Sequence, residues 1–164
     1  MANEVHAVTE YRFLKDLCHA VKEDHEAAEF AGFLMTKVMD FPQNAILIPM
    51  PSHCGYPTYT YDMCRIIKNR LGDLHISNCL RCNPHPSLCE VKKKGLDAES
   101  VEVQMSLARD SEPSYYKKYP VILIDNVIDT GKTYEAALKL FPDAHLYVLG
   151  ITDVYANKIA ESNE

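Results

Sequence analysis

From about Thr9 to Met39 apolar residues recur every three or four positions: Phe13, Leu14, Leu17, Cys18 and Val21, then Phe30, Phe33, Leu34, Val38 and Met39. That period predicts helix with one apolar face. The charged run Lys22-Glu23-Asp24-His25-Glu26 between the two sets predicts a solvated turn that breaks the helix once, and Pro42 stops it. Ala45-Ile46-Leu47-Ile48 is a short continuous apolar run, expected as a buried strand, and Pro49-Met50-Pro51-Ser52-His53-Cys54-Gly55 follows as a loop. A second helix is expected from Thr58 to Leu71, closed by Gly72, and a strand from Leu74 to Leu80.

Residues from about Asn83 to Lys118 are polar and lack a period, so they read as an irregular segment. Val121-Ile122-Leu123-Ile124 is the most β-prone run of the chain. It leads into Asp125-Asn126-Val127-Ile128-Asp129-Thr130-Gly131-Lys132-Thr133 and then a helix-forming stretch that ends near Phe141-Pro142. His145 to Ile151 is a last strand, followed by a short polar tail. Strands alternating with helices predict an α/β fold with a mainly parallel sheet flanked by helices. We divide the chain as a single domain, 1–164, with an N-terminal helical segment over 1–42, the α/β core over 43–155 and the tail over 156–164.

The length of 164 residues and 47% hydrophobic content suit one domain with a real core. The net charge of −6 argues against a nucleic-acid-coating surface. No apolar run reaches membrane-spanning length and the first residues lack a signal-peptide core, so the expectation is a soluble cytoplasmic protein with reduced thiols.

The candidate chemistry lies between the strand at Val121 and the helix after it. A strand feeding a polar loop into a helix N-terminus offers free backbone N–H groups to an anion. Acidic groups stand just upstream of those amides, so one loop can grip a sugar phosphate from two sides. A Walker A loop requires Gly five residues before Gly131, where this chain has Asn126. The dinucleotide fingerprint is also absent, because Gly131 is the only glycine between Gly95 and Gly150.

The stretch Asp125-Asn126-Val127-Ile128-Asp129-Thr130-Gly131-Lys132-Thr133 closely resembles the loop of type I phosphoribosyltransferases that binds 5-phosphoribosyl 1-diphosphate (PRPP). Its wording is nearest the hypoxanthine-guanine branch. The resemblance implies PRPP with Mg2+ as donor, a nucleobase-like small-molecule acceptor, pyrophosphate as product and a homodimer. It implies that Thr130, Gly131, Lys132 and Thr133 hold the 5-phosphate and that Asp125 and Asn126 hold the ribose hydroxyls. Asp125 would also lie near C1, where positive charge develops. Asp129 would stand near the acceptor as general base. Asp125 and Asp129 are thus the candidate catalytic residues. The family usually has a second acid where this chain has Asn126, and an amide supplies no charge, a difference of about 1 kcal/mol. A non-catalytic PRPP- or nucleotide-binding regulator, or a competence-type accessory protein, is therefore the alternative reading.

Other segments fit with less specificity. The family's pyrophosphate loop falls on Ser52-His53-Cys54-Gly55, and Pro49 and Pro51 resemble the opening of competence-associated homologues. The irregular segment corresponds to the family's flexible loop, with Lys92, Lys93, Lys94 and Arg109 available to a diphosphate. Around its start Cys79, Cys82, His85 and Cys89 are four potential ligands for a structural Zn2+; no protein-only metal site is expected in the cleft. Little chain remains after Tyr155, so the hood over the base is expected to be minimal; Tyr155 itself either stacks on a base or packs.

Overall fold

The computed structural model describes residues 3–108 and 115–162. Its central sheet has five strands, all parallel, in the order β1-β7-β6-β2-β3. These are β1 (Val5–Glu10), β2 (Ile46–Pro49), β3 (His75–Ile76), β6 (Val121–Ile128) and β7 (His145–Ile151). A second sheet pairs β4 (Leu80–Cys82) with β5 (Met105–Leu107) antiparallel. The predicted α/β class and mainly parallel sheet are thus present. Among the described residues no helix is long and apolar enough to cross a membrane.

Continuous apolar strands demand cover on both faces, and the core is split accordingly. On one face Leu47, Ile122, Ile124 and Leu149 meet α1 (Tyr11–Ala20), α2 (His25–Val38) and α3 (Tyr59–Leu71). On the other, Ile46, Ile48, Leu123 and Val148 meet α5 (Lys132–Leu138), Leu80 of β4 and Tyr116. The β2-to-β3 connection carries α3 and the β6-to-β7 connection carries α5. The crossovers therefore change face between β2 and β6, which are hydrogen-bonded neighbours. In open α/β sheets that change opens a crevice at the carboxyl ends of the two strands.

Several expectations are corrected. The helical N-terminal segment begins with a strand: Val5–Glu10 is β1, paired with β7 from Val5↔Leu146 to Glu10↔Ile151. The helix breaks where the charged run predicts, with Asp24 capping α2 through a bond from the Glu26 N–H at 2.9 Å. The buried face of α2 is not the large-residue stripe, since Phe30 and Val38 are 52% and 56% exposed. It is Ala28, Ala31, Gly32 and Met35, of which the first three are small and let α2 lie close on α3. Asp125 to Ile128 continue β6 rather than starting the loop. The stretch from Leu74 to Leu80 divides between β3 and β4, which belong to different sheets. The irregular segment holds α4 (Leu88–Lys93) and a 3-10 turn at Ala98–Ser100, and the tail is α6 (Asp153–Ser162). Arg109 lies outside the described residues.

Candidate functional site

A cleft of about 420 Å³ opens at the carboxyl ends of β2 and β6. All of the residues from Asp125 to Thr133 line it, as do Ser52 and His53. Cys54 and Gly55 do not. The Cys54 thiol turns to the Ser52 hydroxyl at 2.7 Å; burial raises its pKa, but hydrogen bonding, first from Ser52, outweighs that and leaves it below its usual value.

The loop between β6 and α5 is held from below. Gly131 sits at φ 81°, the left-handed region that only glycine enters freely. A Cβ there would stand 2.5 Å from the Tyr155 ring. Tyr155 therefore packs under the loop, which settles its role as packing. The Lys132 N–H donates to Thr130 Oγ1 at 3.3 Å, and Lys158 of α6 donates to the Thr130 carbonyl at 3.1 Å. Thr152 donates to Asp129 Oδ1 at 2.9 Å. The end of the core and the short polar tail, through Thr152, Tyr155 and Lys158, thus support the loop. Because β7 runs parallel beside β6, residues just after β7 lie beside those just after β6.

Asp125 and Asn126 have different fates. Asp125 is partly buried, and burial raises its pKa to about 6, against the opposing pull of the Asn126 N–H and of Lys22. Asn126 N–H donates to Asp125 Oδ1 at 2.7 Å. The Asn126 side chain is 2% exposed and its Nδ2 donates to the Cys18 carbonyl at 2.7 Å, tying β6 to α1. An amide committed in this way is a strut between strand and helix, although the residue also lines the cleft. Among the described residues its Oδ1 is buried without a partner. Asn126→Asp, the acid usual in the family, would place an acceptor against that carbonyl. We expect a loss of about 2 kcal/mol at neutral pH by denaturant unfolding, shrinking in acid as the new carboxyl protonates and can donate. An unchanged midpoint would show that the strut carries no weight.

The remaining walls come partly from places the sequence did not mark. Helix α1 contributes Tyr11, Cys18 and His19, and the turn after it Lys22, with Tyr11 Oη hydrogen-bonded to His19 Nε2 at 3.0 Å. The segment around α4 covers the mouth and supplies Lys92 and Lys93, but not Lys94. Lys92 forms an ion pair with Asp129, and Lys132 donates to the Glu99 carbonyl, so the cover is fastened to both ends of the loop. The His85 N–H also donates to the His53 carbonyl at 3.0 Å. Among the described residues the cleft is net cationic: its lining has four lysines (22, 92, 93 and 132) against two aspartates (125 and 129).

The four candidate zinc ligands do not converge. Among the described residues no three of Cys79, Cys82, His85 and Cys89 bring ligand atoms within 4.8 Å of one another. Cys79 and Cys82 are buried, with Cys82 Sγ 3.3 Å from the Ser52 carbonyl, whereas Cys89 is exposed. All six cysteines are free thiols.

No family model matches the chain, and no curated protein sequence does. Among solved structures, it is similar to the hypoxanthine phosphoribosyl transferase of Trypanosoma cruzi, at 14% identity and a TM-score of 0.39, over 85% of this chain and 67% of that one. It is also similar to a hypoxanthine phosphoribosyltransferase from Staphylococcus aureus, at 15% identity and a TM-score of 0.35, over 84% of this chain and 62% of that one.

Proposed function

We propose that the chain binds PRPP in this cleft and transfers its 5-phosphoribosyl group to a nitrogen of a nucleobase-like acceptor, releasing pyrophosphate. The observation that carries this reading is charge. A chain of net charge −6 concentrates four lysines at the carboxyl ends of β2 and β6, facing two carboxylates. Such a cleft suits a ligand with anionic ends and a hydroxyl-bearing middle.

The residues divide the donor among them. The Thr130–Thr133 turn takes the 5-phosphate through its amides and hydroxyls, supported by the left-handed Gly131. Asp125 accepts from a ribose hydroxyl and stabilises positive charge at C1 as the diphosphate departs. Ser52, His53, Lys92 and Lys93 face the diphosphate. Asp129 receives the acceptor's proton once Lys92 leaves it, and a diphosphate, carrying more charge than one carboxylate, is the partner that draws Lys92 away. Mg2+ fits this donor set, because it takes one or two carboxylates together with substrate phosphates, and Asp125 and Asp129 are the carboxylates available. When bound it would neutralise diphosphate charge and improve the leaving group.

A second reading, binding without turnover, is favoured by the commitment of Asn126 to Cys18, which leaves one carboxylate where two would hold the ribose. Calorimetric titration with PRPP and Mg2+, followed by pyrophosphate release across a nucleobase panel, separates the two. We expect one PRPP per chain and release with at least one base. Binding with no release from any base favours the regulator; absence of binding defeats both. Asp125→Ala should cost far more PRPP affinity than Cys54→Ala, because Cys54 does not line the cleft, and the reverse order would overturn the site.

A further inference from the structure

We propose that Glu4, His6 and His145 form a binding site for a divalent cation of the zinc class, separate from the cleft. One ligand atom from each of the three lies within 4.8 Å of those of the other two. His6 Nε2 stands 3.1 Å from Glu4 Oε2, so a nitrogen and an oxygen ligand atom already face each other across the gap a cation would fill. The Glu4 N–H meets His145 Nδ1 at 3.2 Å, a long contact that a cation taking that lone pair displaces at little cost.

The backbone beneath these groups is fixed. His6 lies opposite Tyr147 in the β1–β7 register, and its ring packs on Tyr147 with centroids 4.7 Å apart. Asn3 donates to the carbonyls of Pro142 and Ala144, at 2.6 and 3.0 Å, which pins the approach to β1 beside the start of β7. The ligands therefore come from two strands whose spacing is set by the sheet. Their tips are the mobile part: the side chains of His6 and Glu4 are 42% and 63% exposed. Bonds of about 2.1 Å to a tetrahedral centre put ligand atoms about 3.4 Å apart, so the Glu4–His6 pair at 3.1 Å is already close and the other separations need contract by at most about 1.4 Å, within reach of side-chain rotation.

Ligand chemistry selects the ion. Two imidazole nitrogens and one carboxylate oxygen suit Zn2+ and its neighbours, whereas Mg2+ and Ca2+ seek oxygen. Position separates the site from the catalytic proposal. Glu4 and His145 lie at the amino ends of β1 and β7, while Thr152, just past the carboxyl end of β7, lines the cleft. Seven strand residues, about 20 Å, lie between the two ends. The cation acts as a clasp that holds the edge strand β1 to β7.

The test is titration of the full chain with Zn2+ in a non-coordinating buffer near pH 7.5, with Co2+ as a spectroscopic stand-in. One equivalent should bind, Co2+ should show no thiolate charge-transfer band, and excess Mg2+ should not compete. His6→Gln and His145→Gln should each weaken binding at least about tenfold while circular dichroism stays unchanged. At a hundredfold excess over its dissociation constant, Zn2+ should raise the wild-type Tm by about 5–10 °C and leave that of His6→Gln unmoved. Three results would overturn the site: no binding by the wild type, undiminished binding by the His6→Gln/His145→Gln double variant, or a thiolate band. The last would place the ion on the cysteines instead.

Discussion

Asp125→Asn is expected to stabilise the protein by about 2–3 kcal/mol near pH 7.5 while weakening PRPP binding by more than about a hundredfold. Burial raises this carboxyl from 3.8 to about 6, so the fold holds its proton more tightly than the unfolded chain does. Below 3.8 both states are protonated and the group contributes no penalty. Between 3.8 and about 6 the unfolded state ionises first and stability is lost as pH rises. Above about 6 the full cost of burying the charge is present. Asparagine keeps an oxygen for the Asn126 N–H, now at 2.7 Å from Oδ1, and removes the charge. Denaturant midpoints of wild type and variant should therefore diverge at pH 7.5 and converge near pH 4. The same titration limits function: donor affinity should fall in acid below about pH 6 in the wild type, and that limb should vanish in the variant. A variant less stable than wild type at pH 7.5 would show that the carboxylate is structurally satisfied, and would remove the case for stored electrostatic cost at this position.

Gly32→Ala should cost about 3 kcal/mol, the largest loss we expect from a single methyl group in this protein. A Cβ on Gly32 would press on Ile66 and lie 2.7 Å from the carbonyl oxygen of Met63, with the Met63 Cα at 3.1 Å. The oxygen belongs to backbone, so relief requires α2 and α3 to separate, and both helices pack on one core with Met35, Met63 and Ile67 fully buried. The gain in helix propensity of about 1 kcal/mol offsets part of this but not most. For a chain of this size the loss corresponds to a fall in Tm of about 6–12 °C. None of Gly32, Met63 and Ile66 lines the cleft, so donor affinity in the residual folded fraction should be unchanged. A Tm within 2 °C of wild type would mean that α2 and α3 are not in the close contact described.

How much could be read beforehand depended on the range of the interactions. β7 and the boundaries of α3 follow from local apolar period and from Gly72, and the turn around Gly131 from its chemistry. The strand β1 was legible in the alternation of Val5, Ala7 and Thr9 with His6, Val8 and Glu10, but its polar half masked the signal. Large apolar residues on α2 pointed to the wrong face, because close helix packing selects Ala28, Ala31 and Gly32 while Phe30 remains at the surface. The partners of the loop were not legible at all. Asn126 meets Cys18 across 108 positions and Lys92 meets Asp129 across 37, and neither separation leaves a local trace. The residue types at the candidate site were thus readable, whereas the choice of Asn126 as strut and Lys92 as counter-ion is made only by the folded sheet.

The seam between β1 and β7 also constrains how the molecule is made. Val5 is partnered with Leu146 and Glu10 with Ile151, so β1 leaves the ribosome long before the strand it pairs with. Until β7 emerges, β1 has no strand paired on either side, and neighbouring nascent chains compete for it. Its polar residues His6 and Glu10, which poorly suit edge-to-edge stacking, guard that interval.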